Sequence, residues 1–177
     1  YKMKLEILRF PDPFLNKKVA PFDFDKYDAK QIEADMIAIM NKENGVGLAA
    51  NQVGLDAQIF IIKPEGLDGY EDNKPFALIN PVITAVSQDT VLGEEGCLSF
   101  PLLFFKVKRP TGMVIECLDS SGKECTIELV GWNARIAGHE YDHLYGINYV
   151  DRVSKLKLDI AKKKQSKLLK RFGAYIK

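Results

Sequence analysis

The 177-residue sequence predicts an α+β fold: antiparallel or mixed β-sheets around a central helix, with one helix toward the N-terminus and a basic helix at the C-terminus. Two observations predict it. Branched, apolar strand-like segments lie between two well-separated stretches of helical spacing. The clearest strand pair is joined by a short glycine-containing turn, a hairpin and not the crossover of a doubly wound sheet.

In chain order, LEILRFPDPFL is a short apolar segment running into a Pro-Asp-Pro turn. From about Asp25 to Asn44, Ile32, Met36, Ile37, Ile39 and Met40 recur at helical spacing, and Asn44-Gly45 supplies a stop. AQIFIIK (57–63) and FALINPVITAV (76–86) read as strands, as do GMVIECLD (112–119) and ECTIELV (124–130) on either side of Ser120-Ser121-Gly122-Lys123. A second helix fits 132–145, interrupted only by Gly138, and a third, basic helix fits about 155–172. With no repeat and no low-complexity linker, 1–177 reads as one domain, 155–177 being its basic C-terminal part.

Composition narrows the class. With 46% hydrophobic and 28% charged residues the chain reads as soluble and globular, and no apolar run approaches the ~20 residues of a bilayer span. Neither a signal-peptide core nor an Arg/Ser-rich transit pattern opens it, so a cytoplasmic location is the default; whether Tyr1-Lys2 before Met3 are native is left open. Cys97, Cys117 and Cys125 match no paired zinc or redox spacing, and an odd count argues against a disulfide framework. The net charge of +1 conceals an asymmetry: residues 1–152 hold 16 Lys/Arg against 23 Asp/Glu, whereas 153–177 hold 9 against 1.

The chemistry starts at GHEYDHLYG (138–146), which contains both histidines of the chain as His-Glu-x-x-His. On a helix, positions i and i+4 lie roughly 6 Å apart on one face, so His139 and His143 can reach one metal ion, and Glu140 can act as general base without being a ligand. The plain alternative is an amphipathic helix that happens to carry two histidines. For a third ligand, the extended HExxHxxGxxH pattern fails at Tyr149, and no glutamate follows Glu140. Asp142, Asp151 and Asp159 remain, but Cys97, in the glycine-flanked loop GEEGCLSFP, is the better donor; Cys117 and Cys125 lie inside strand patterns where an inert thiol is the usual outcome. Two imidazoles and a thiolate leave a fourth position open, as in a catalytic site, and suit Zn2+, Fe2+, Co2+ or Ni2+.

GVGLAANQVG (45–54) superficially fits a dinucleotide fingerprint, but a predicted helix precedes it and a strand follows, which is the wrong context. It reads equally as a helix-to-strand turn with an exposed glutamine, or as a close-approach loop with Gln52 aimed at a reaction centre.

GVGLAANQ (45–52), EGCLS (95–99) and HEYDH (139–143), in that order, resemble the three motifs of the peptide deformylases, and the similarity runs from LEILRFPDPFL to about residue 157. The resemblance implies Cys97, His139 and His143 as ligands of one divalent ion, iron in the cell, with Zn2+, Ni2+ or Co2+ in purified samples. It implies Glu140 as acid/base, with the Gln52 side chain and Leu98 N–H as oxyanion donors. Gly47 and Gly96 would line the substrate backbone, and Val46, Ile136 and Trp132 a methionine pocket. Two positions depart from the family pattern: Gly138, where glutamine is usual, and the apolar run Leu102, Phe104-Phe105, where relatives often carry glycine or polar groups.

The expected activity is hydrolytic removal of the formyl group from formyl-methionyl nascent polypeptides, releasing formate, by a monomer without membrane contact. A metallopeptidase or other metal amidohydrolase, or an inactive deformylase-like binding protein, are the alternatives. The tail, with Leu158, Ala161, Leu168, Leu169 and Phe172 near one face, reads either as a solvated helix packed on the body or, by the resemblance, as a ribosome-docking helix.

Overall fold

Asp28 starts the first helix, α1 (Ala29–Lys42), its carboxylate accepting the Gln31 N–H at 3.2 Å. The periodicity places this start near Asp25, but the Asp23 carbonyl instead accepts from Lys26 and Tyr27, and its side chain from Asp25, closing a turn ahead of the helix. Ala29, Ile32, Met36 and Met40 form the buried stripe, and Asn44, in the left-handed region at φ 56°, follows the helix end. The structure, a computed structural model, describes residues 4–173; Tyr1-Lys2 and the last four residues of the basic segment lie outside the described residues.

Seven strands follow: β1 (Gly47–Ala49), β2 (Ile59–Ile62), β3 (Phe76–Val86), β4 (Thr90–Cys97), β5 (Phe100–Pro110), β6 (Gly112–Leu118) and β7 (Glu124–Val130). Five make one sheet in the order β1-β2-β3-β6-β7, and β4 pairs with β5 alone; every pairing is antiparallel, so no mixed sheet occurs among the described residues. The predicted β6–β7 hairpin is present. Asp119 Oδ1 accepts the N–H groups of Ser121 and Lys123, and Gly122 takes φ 80°, which a side chain would resist. Cys117 and Cys125 face each other across it as free thiols, the first buried and the second half-buried.

The β4–β5 ribbon corrects the sequence reading. Cys97 does not sit in a loop: it is the last residue of β4, paired with Phe100 across the Leu98-Ser99 turn. β4 reads TVLGEEGC, and two glycines with two glutamates conceal its alternation. The physical reason lies in what fills the vacant space, since a Cβ on Gly96 would fall 2.5 Å from the Phe104 ring.

The second helix, α2 (Gly131–Leu144), is the centre of the molecule. Eleven of its fourteen residues are buried, because it packs on β1, β2, β6 and β7 of the large sheet and on β5 of the ribbon. The third, α3 (Lys155–Phe172), lies on β5 over a smaller core of Leu15, Phe100, Leu103, Phe105, Val107, Tyr149 and Ala161. The segment predicted to bind metal is therefore walled by both sheets, and none of the described helices is long and apolar enough to cross a membrane.

Candidate metal centre

α2 carries His139 and His143 on one face, and the end of β4 brings Cys97 to them. One ligand atom from each lies within 4.8 Å of the others, and Cys97 Sγ is 3.5 Å from His143 Nε2. A tetrahedron with metal–ligand bonds of ~2.0–2.3 Å has edges of about 3.5 Å, so the donor set fits one small divalent ion. His139 Nδ1 is 2.9 Å from Glu95 Oε1, which leaves its Nε2 for the ion, and that pairing fixes the ring. His143 is buried outside the cavity lining, and its Nδ1 has no hydrogen-bond partner among the described residues.

Glu140 is buried beside the ligands, and Gly47 makes room for it: a Cβ there would lie 2.8 Å from Glu140 Oε2. Burial raises the Glu140 carboxyl, and Glu95 and Asp142 add to the rise against the pull of His139 and Arg109, leaving it at about 7. Burial alone would lower both imidazoles. Cys97 and Glu95 outweigh it at His139, which rises, whereas His143, next to His139 and Arg109, stays well below its ordinary value.

The glycine loop delivers Gln52, which is buried and not exposed. Its Oε1 accepts the Ala49 N–H at 3.0 Å, which orients the amide so that Nε2 faces Ser99 Oγ at 3.1 Å and Cys97 Sγ at 3.4 Å. β1 and a 3-10 turn (Ala50–Val53) replace the simple turn of the sequence reading.

A cavity of about 450 Å3 opens from these groups. Gly47, Gln52, Gly96, Cys97, Leu98, His139 and Glu140 line it, with Val46, Trp132 and Ile136 as apolar wall. Among the named candidates only His143 stays out of the lining. Tyr149, which stands where an extended protease motif would place a third histidine, is instead core: it stacks on Phe105 at 4.5 Å and its hydroxyl donates to the Leu103 carbonyl at 2.7 Å.

Sequence reasoning missed the ionic frame behind the site. Glu95 accepts from Arg109 at 2.8 and 2.9 Å and from Arg135 at 2.7 Å; Arg109 also reaches Asp142 at 2.7 Å, and Asp142 takes Arg152 at 2.7 Å. A signal existed. In β5, Phe105, Val107 and Arg109 alternate inward, so Arg109 is an arginine at a core position, which needs a buried acid. At the mouth, Arg9 pairs with Glu43 at 3.4 Å.

The family model described as Polypeptide deformylase matches residues 4–159. A peptide deformylase from Wolbachia sp. subsp. Brugia malayi is 38% identical over 176 residues, covering 96% of this chain and 98% of the relative. The rice protein named peptide deformylase 1B, chloroplastic, is 36% identical over 157 residues, covering 87% of this chain; the chain spans only 56% of that relative's length. A Legionella pneumophila peptide deformylase structure superimposes with a TM-score of 0.82 at 34% identity, covering 96% of each chain.

Proposed function

Because the chain belongs to the peptide deformylase family, we propose that it hydrolyses the N-terminal formyl group of formyl-methionyl nascent polypeptides, with formate as the second product. The observation that carries the reading is the convergence of Cys97, His139 and His143 at the base of the cavity, with Glu140 beside them. Cys97, His139 and His143 would hold one divalent ion, which when bound supplies a water of lowered pKa and a Lewis acid for the formyl oxygen. The thiolate makes that centre less acidic than three imidazoles would, and we assign Fe2+ as the ion in the cell, with Zn2+, Ni2+ or Co2+ able to occupy the same donors.

The substrate enters as a strand. β1 is the edge of the large sheet and β4 has only β5 as partner, so both present a free edge to the cavity, through Val46-Gly47 and Gly96. The methionine side chain then points toward Val46, Ile136 and Trp132. Glu140 accepts a proton from the attacking water as its oxygen bonds to the formyl carbon. Gln52 Nε2 and the Leu98 N–H donate to the oxyanion, each worth roughly 3 kcal/mol in comparable sites. Glu140 returns the proton to the leaving nitrogen as the C–N bond breaks.

Residues 1–177 act as one catalytic domain and a monomer, in the cytoplasm for a chain of bacterial type, although the rice relative is chloroplastic by name. The basic face of α3 docks on ribosomal RNA phosphate.

The test is anaerobic purification, elemental analysis and formate release from formyl-Met-Ala, set against cleavage of internal peptide bonds. We expect one ion per chain and formate release alone. Glu140→Gln should retain the ion and lose roughly 10²- to 10⁴-fold in kcat/KM. Cys97→Ala should lose the ion, and full stoichiometry in that variant would contradict the ligand assignment.

A further inference from the structure

We propose that Phe104 sets a preference for a large apolar side chain at the residue that follows the formyl-methionine; this rests on the deformylase reading and adds a second determinant to it. The argument comes from the pleat. Glu94 pairs with Lys106 and Glu95 with Phe105, so Glu95 and Phe105 face the interior and Glu94 the outer side; the register breaks between Glu95 and Cys97, and it is the exposed Phe104 ring lying against Gly96 that marks Gly96 as part of the outer side. An extended peptide lying along β4 alternates in the same way. If its methionine points inward to Ile136, its next side chain points outward, over Gly96.

Nothing of Gly96 itself meets that side chain. The Phe104 ring reaches across the vacant position, its Cε1 2.5 Å from where a Cβ would be, and it lines the cavity while remaining 48% exposed. Leu102, also in the lining, is held in the left-handed region at φ 59°, a conformation that a branched side chain adopts at a cost. Phe100 and Pro101 continue the apolar wall. Of the charges at the mouth, Arg9 pairs with Glu43, and Lys106 lies directly across the ribbon from Glu94.

The experiment measures kcat/KM on formyl-Met-Xaa-Ala peptides with Xaa Leu, Phe, Ser or Asp, using the metal-loaded enzyme and its Phe104→Ala and Phe104→Tyr variants. The parent should favour Leu and Phe over Ser by roughly tenfold, carried mainly in KM because the contact exists before the transition state as well as in it. Phe104→Ala should bring the ratio close to one, and Phe104→Tyr should keep it. A parent ratio near one, or a ratio that survives Phe104→Ala, overturns the proposal while deformylation itself stands. Failure to release formate from every peptide would instead bring down the deformylase reading, and this one with it. Far-UV circular dichroism of each variant checks folding, which a half-exposed side chain should not control.

Discussion

At Gly138 a methyl group would lie 3.4 Å from Met113 Cε and 3.5 Å from Arg109 Cδ, ordinary contact distances. Nothing in the packing therefore requires glycine there, and a glycine inside α2 leaves the unfolded chain more freedom to lose. Gly138→Ala should raise stability by about 0.5–1 kcal/mol, read as a higher urea midpoint at unchanged slope. The contrast is Gly47, where a methyl would strike the Glu140 carboxylate. At this scale the sequence was legible wherever chemistry restricts the choice of residue. Two histidines, no later glutamate and Tyr149 in place of a third histidine pointed to Cys97, and the structure brings those three side chains together. Glu95 and Arg109 escaped notice because a charged residue in a sequence defaults to the surface until the strand carrying it is recognised.

Those two residues show what an element can hide. β4 is hard to read because its buried residue is Glu95, set between glycines, and β5, although Leu103, Phe105 and Val107 alternate inward, because its last inward position holds Arg109. β2, β3, β6 and β7 were legible because branched apolar residues fill them. The ion pairs that join β4, β5 and α2 carry a pH dependence. Burial raises the Glu95 carboxyl, but hydrogen bonds from Arg109 and His139 outweigh it and hold the group at about 2, against an ordinary 4.5. A folded-state pKa below the unfolded one gives stability that is fully present above the unfolded value and is lost as pH falls toward the folded one. Metal-free protein should accordingly lose on the order of 3 kcal/mol between about pH 4.5 and 2 from this group. Glu95→Gln should flatten that part of the profile and lower stability at neutral pH, since Arg109 and Arg135 lose a buried anion. Urea titrations at stepped pH, with chelator present, measure both effects.

Across the whole molecule, α3 both completes a core and presents a charged face, and these roles need separate tests. Leu158, Ala161, Gln165 and Leu168 recur at helical spacing on the side toward β5; Ala161 is buried and Gln165 donates to the Pro101 carbonyl at 2.9 Å. Leu169 and Phe172, expected near the same face, are each 40% exposed, so the last turn has little to pack on. Deleting the helix would uncover Leu103, Phe105 and Val107, and through Phe105 the Tyr149 ring that lies 5.4 Å from His139. A truncated chain that failed to bind ribosomes would therefore report lost packing as readily as lost charge. Substitution of the exposed Lys163, Lys164, Lys167 and Lys170 by glutamine leaves the packed face intact. If these lysines meet ribosomal phosphate, the fourfold variant should bind 70S particles more weakly. Its slope of log affinity against log salt should be shallower by roughly 0.7–0.9 for each contact removed. Its thermal midpoint should stay within about 1 kcal/mol equivalent of the parent, as surface changes do. Equal affinities and equal salt slopes would leave α3 as a lid on the smaller core and no more.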